Sequence, residues 1–174
     1  MKNKSKYKKP TREDYISFFD NLISDNTDYV HFSITGIFDR EGLEHNKNMY
    51  QSSWWSYQKN IITFFRKTAR VITRNRDWGK GNKDKEMKVI LVPEVQSVLH
   101  FHGIISIHAD FLKEVNLITF RELLIQFWDQ LFRRGKFEIQ EFKNDGWLHY
   151  ITKKLVLGDD IIEEFVILPP IAHK

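Results

Sequence analysis

Leu99-His100-Phe101-His102-Gly103-Ile104-Ile105-Ser106-Ile107 is the stretch on which the reading of this chain turns. β-branched and aromatic side chains dominate it, which predicts a strand. A side-chain period of two puts His100 and His102 on one face and Phe101 on the other, toward a packed layer. Two imidazoles one pleat apart can share a divalent cation. They can equally be ordinary packed residues, so the neighbours decide. Glu94 lies six residues upstream, in Val89-Ile90-Leu91-Val92-Pro93-Glu94. A hairpin turn centred on Ser97 would set residue 94 opposite residue 100, with Cβ atoms about 5 Å apart. Glu94, His100 and His102 would then converge as one carboxylate and two imidazoles, a set suited to Mn²⁺ or Mg²⁺. A two-residue turn would throw Glu94 to the other face, because a slip of one residue inverts every side chain. Pro93 cannot donate to a ladder, which predicts an edge or bulge beside the site.

Downstream, Gly146-Trp147-Leu148-His149-Tyr150-Ile151-Thr152-Lys153-Lys154 predicts a short helix opening after Asn144-Asp145-Gly146. Tyr150, Lys153 and Lys154 stand at i, i+3 and i+4 and share one helical face. A phenol flanked by ammonium groups, if brought beside a metal, is equipped to attack a phosphodiester. Its ordinary pKa of about 10 means that it must be activated. A metal can polarise the phosphate, and a lysine can neutralise developing charge.

The rest of the chain supplies a scaffold. Thr11-x-x-Asp14 resembles a capping box, followed by an apolar stripe of Tyr15, Phe18, Phe19, Leu22 and Ile23. Residues 29–38 alternate as a strand, with His31 and Ser33 on the face opposite Val30, Phe32 and Ile34. Residues 49–74 predict a long helix buried through Tyr50, Trp54, Tyr57, Ile61, Phe64, Phe65, Thr68 and Ile72. Residues 87–95 and 99–108 form the metal hairpin. Thr119-x-x-Glu122 predicts the cap of the next helix and Gly135 its end. Residues 137–142 alternate as a further strand, and the tyrosine helix follows. The apolar segment 161–171, with Pro169-Pro170, is expected to pack as an extended arm. After the first helix this order contains β-α-β-β-α-β, a ferredoxin-like, RRM-like split unit. The expected fold class is α+β: an antiparallel sheet with helices on one face, the other face left for metal ligands and nucleic acid.

Composition narrows the function. A length of 174 residues fits a basic, disordered arm over residues 1–10 and a single domain over 11–174. There is no cysteine, which excludes disulfides and zinc–thiolate sites. No apolar run approaches the ~20 residues that cross a bilayer, so no membrane partner is expected. No signal peptide is visible either. Net charge is +4, unevenly spread. Residues 1–10 hold five lysines and no acid, and residues 59–88 hold ten Lys or Arg against three acids. Such segments suit a polyanion. Arg66, Arg70 and Arg74 crowd the later turns of the long helix. Trp78-Gly79-Lys80-Gly81-Asn82-Lys83 lacks the spacing of a nucleotide-binding phosphate loop. Its Lys80 better suits a DNA backbone, and Trp78 an unpaired base.

The ordered motifs resemble those of the HUH endonucleases, specifically the rolling-circle replication initiators of phages, plasmids and single-stranded DNA viruses. Tyr29-Val30-His31-Phe32-Ser33-Ile34-Thr35 resembles the first motif. His100-Phe101-His102 with upstream Glu94 resembles the second, and Tyr150-Ile151-Thr152-Lys153 the third. Together they span residues 29–154. The resemblance implies the HUH endonuclease fold and a divalent metal, Mn²⁺ or Mg²⁺, held by Glu94, His100 and His102. It implies that Tyr150, assisted by Lys153, nicks single-stranded DNA at a replication origin, stays joined to the 5′ phosphate and frees a 3′ hydroxyl. Resealing is the reverse transfer. Lys154 stands where some relatives carry a second tyrosine, which implies a single-tyrosine enzyme. The turn before the histidine strand also lacks the glycine that many relatives have there. His31, Arg66, Arg70, Arg74, Trp78, Lys80 and Lys154 are expected DNA contacts. Host polymerase and helicase are the implied partners. The implied location is the host cytoplasm, or the nucleus for a eukaryotic virus. Two other readings remain: a single-tyrosine HUH transposase of the same chemistry, and a non-catalytic nucleic-acid-binding module with structural histidines.

Overall fold

The computed structural model describes residues 11–24, 28–38, 47–73, 87–95, 98–133, 135–142, 146–156 and 166–168. The basic arm 1–10, Arg74, Trp78, Lys80 and the side chains of Tyr50, Trp54 and Lys154 lie outside the described residues. The elements run α1 (Arg12–Ser24), β1 (Tyr29–Ile37), α2 (Lys47–Thr73), β2 (Lys88–Val95) and β3 (Leu99–His108). They continue with α3 (Ala109–Glu114), α4 (Leu117–Leu131), β4 (Lys136–Glu141), α5 (Gly146–Val156) and β5 (Val166–Leu168). No described helix is long and apolar enough to cross a membrane.

The strands form one open antiparallel sheet in the order β4-β1-β3-β2-β5. With α2 and α4 as its crossovers, the β1-α2-β2-β3-α4-β4 unit is compatible with a ferredoxin-like fold. β5, which lies within the expected apolar arm, adds an edge to β2 through Leu168, Ile167 and Val166.

The alternation of β3 sorts the core into two layers. Phe101, Ile105 and Ile107 face one side and meet Ile61, Phe64, Phe65 and Ile72 of α2 and Phe120, Leu124 and Trp128 of α4. Ile104 faces the other side and, with Ile90 and Val92 of β2, meets Phe19 and Ile23 of α1 and Leu148 and Ile151 of α5. The expectation that helices cover one face only is therefore corrected. The apolar residues on the second face need cover, and the stripes of α1 and α5 supply it. β3 is consequently buried along its whole length.

Caps fix the helix ends. Thr11 and Asp14 form the reciprocal box: Asp14 Oδ2 accepts from Thr11 N at 2.7 Å, and Thr11 Oγ1 from Asp14 N at 3.2 Å. For α4 the expected Thr119 cap gives way to Asn116, whose side chain accepts from Thr119 N at 2.9 Å. Asparagine is the stronger capping residue and lies three positions earlier. The helix ends at Leu131 with Phe132 as its cap, ahead of Gly135.

Gly36 of β1 lies beneath the Phe101 ring. A Cβ there would sit 2.3 Å from Phe101 Cζ and 2.9 Å from Trp128 Cη2. Gly36→Ala is expected to cost about 1–3 kcal/mol of stability by overpacking, measured by urea unfolding.

Candidate metal centre

β2 and β3 pair Val95 with Leu99 and Glu94 with His100, the expected register. That register puts Glu94, His100 and His102 on one face. Glu94 Oε2 lies 3.2 Å from His102 Nε2 and 3.7 Å from His100 Nε2. One ligand atom from each of the three residues falls within 4.8 Å of the others. All three side chains are buried. A carboxylate and two imidazoles gathered this closely could hold a divalent ion.

Hydrogen bonds aim the rings. His100 Nδ1 donates to the Val98 carbonyl at 3.0 Å, which leaves its Nε2 lone pair toward Glu94. His102 Nδ1 lies 2.9 Å from Thr35 Oγ1 of β1, whose register position is opposite His102. With Thr35 as acceptor, Nε2 of His102 is also free to act as a ligand. Burial chiefly, then the nearby His100 and Lys153 charges, push the His102 pKa down to about 4 against the opposing pull of Glu94. At neutral pH this ring is uncharged, the form that ligates metal.

α5 carries the tyrosine to this triad. Leu148 and Ile151 are buried against the sheet. Trp147 Nε1 donates to the Gly103 carbonyl at 3.0 Å, pinning the first turn of the helix to β3. The Arg12 guanidinium donates to the His149 carbonyl and ties α1 to α5. Tyr150 Oη then lies 3.4 Å from His102 Nε2, and its ring stacks on Trp147 at a centroid distance of 5.3 Å. Lys153 Nζ lies 3.8 Å from Glu94 Oε1 and 3.7 Å from the centroid of the Tyr150 ring. The structure thus brings Glu94, His100, His102, Tyr150 and Lys153 together.

Of the other expected contacts, the described His31, Arg66 and Arg70 lie apart from this group. His31 shares the face but pairs with Ser106, 2.8 Å away, four residues along β3 from His102. At about 3.4 Å per residue that is about 14 Å along the strand from His102. Burial and then the Lys88 charge lower its pKa. Arg66 and Arg70 are exposed on α2, on the opposite side of the sheet. Thr35 and Trp147 were not singled out by the sequence reading. Thr35 continues the alternation of His31 and Ser33, and Trp147 is three residues before Tyr150, so both were within reach of period arguments.

The Lys153 ammonium competes with any cation for Glu94. Lys153→Met is expected to tighten Mn²⁺ binding by the DNA-free protein about three- to tenfold, measured by titration calorimetry. Unchanged or weaker binding would show that Lys153 does not oppose the ion.

No protein-family model, curated protein or solved structure matches the chain.

Proposed function

We propose that this chain is a metal-dependent, single-tyrosine endonuclease and strand transferase that nicks and rejoins single-stranded DNA and so initiates rolling-circle replication. The observation that carries the reading is the approach of Tyr150 Oη, from a helix, to 3.4 Å from a histidine of a buried Glu–His–His group on a sheet. The motif order across residues 29–154 supports the replicative role.

Glu94, His100 and His102 would hold Mn²⁺ or Mg²⁺, which when bound supplies Lewis-acid polarisation of a phosphate oxygen. The chain's own residues do the rest. Tyr150 Oη attacks phosphorus, a new P–O bond forms to the phenol, and the P–O3′ bond breaks. The phenol gives up its proton, and the departing 3′ oxygen takes one up. The products are a 5′-phosphotyrosine and a 3′ hydroxyl. Lys153 places positive charge beside the ring where negative charge gathers during attack. Trp147 holds the phenol in orientation by stacking. Rejoining runs the same steps backward, with a 3′ hydroxyl as nucleophile and Tyr150 as leaving group.

The test is incubation with Mn²⁺ and single-stranded origin DNA, followed by denaturing electrophoresis. A covalent protein–DNA adduct supports the reading; no cleavage of any single strand refutes it.

A further inference from the structure

α1 and α5 cover the part of the site face formed by Ile90, Val92 and Ile104, on β2 and β3. On β1 and the edge strand β4 the same face presents Ser33, Thr35, Glu138 and Gln140. These residues line a cleft of about 270 Å³, together with Ile34, His102, Trp147 and Tyr150. We infer that this cleft is a slot for one base of the substrate strand and that it selects bases carrying an exocyclic amine. The inference rests on the nicking reading, because His102 and Tyr150 line the cleft as well as the candidate metal centre.

Size, shape and charge agree on the occupant. Pockets for drug-sized ligands run to about 300–1,000 Å³, so this cleft suits a single ring system. Trp147 and Tyr150 give it an aromatic boundary, which favours a flat π-face. Glu138 gives it an anionic group, which disfavours a phosphate. The carboxylate pairs with Lys136 but retains acceptor sites, since ionised it offers about four. An acceptor of this kind recognises the N4 amine of cytosine or the N6 amine of adenine. Thymine presents O4 at the position of that amine, which would set oxygen against carboxylate oxygen there. Gln140 adds an amide that can both donate and accept. The base so held belongs to a nucleotide adjoining the phosphate at Tyr150.

The experiment uses the full chain with Mn²⁺ and fluorescein-labelled ten-nucleotide oligo(dC), oligo(dA) and oligo(dT), read by anisotropy. Oligo(dC) and oligo(dA) are expected to bind about tenfold more tightly than oligo(dT). Glu138 is exposed on an edge strand, so its replacement leaves the core intact. Glu138→Gln is expected to bring the three affinities within about twofold, because an amide also donates to thymine. Equal binding of all three by the unmodified chain, or a preference that survives Glu138→Gln, overturns the slot. Either of these results leaves the nicking reading standing, since adduct formation is read separately. Failure to bind any single strand removes both.

Discussion

Tyr150→Phe is expected to abolish the covalent protein–DNA adduct of the proposed reaction and to lower strand cleavage by at least about 10³-fold, with single-stranded DNA binding retained. The substitution removes one oxygen and keeps the ring, so the stack on Trp147 and the cation–π contact with Lys153 remain. Tyr150 is at the margin of exposure, and the oxygen lost lies 3.4 Å from its nearest polar partner. Little folding stability depends on it. The expected effect is large because losing a nucleophile removes the chemical step rather than weakening it. Adduct formation on denaturing gels and DNA binding by anisotropy, run on the same preparations, separate the two roles. An undiminished adduct would assign the nucleophile elsewhere.

Glu94→Gln is expected to weaken Mn²⁺ binding at least about 100-fold. Loss of supporting residues around a metal ligand already costs about 10–100-fold, and Glu94 would supply the charged ligand itself. The amide is isosteric with the carboxylate but bears no charge to offset a dication. The readout need not involve DNA. An ion that binds only the folded protein stabilises it by about 2.7 kcal/mol at 100 times its Kd. Unmodified protein should therefore show a Tm that rises with Mn²⁺, and Glu94→Gln a Tm that does not. If both rose alike, the buried Glu94–His100–His102 group would be a structural polar cluster. The same experiment with His102→Asn should also lose the Mn²⁺ response.

Much of the site was legible because it depends on period and register. His100 and His102 share a face by the pleat alone, and the expected register of 94 opposite 100 is the one the strands adopt. Tyr150 and Lys153 share a helical face by spacing. The packing of α1 and α5 was less accessible. An amphipathic stripe such as Phe19–Ile23 says that a face is buried but not which side of a sheet receives it. The apolar residues Ile90, Val92 and Ile104 carried the missing information, since they alternate onto the histidine face and need cover there. The cap of α4 was misplaced because Thr119-x-x-Glu122 and Asn116-x-x-Thr119 both fit a helix start, and only geometry separates them. Arg66 and Arg70 illustrate the limit of charge counting: a basic run in sequence does not say which face of the fold carries the charge.

The link between Arg12 and the His149 carbonyl joins groups 137 positions apart in sequence. During translation Phe19 and Ile23 emerge long before Leu148 and Ile151, their partners in the smaller core. Until the tyrosine helix has been made, Phe19 and Ile23 lack Leu148 and Ile151 as partners. On the proposed reading, a nascent chain halted before residue 146 would lack the α5 half of the smaller core and with it the nucleophile, while the larger core would still await Leu168 of β5.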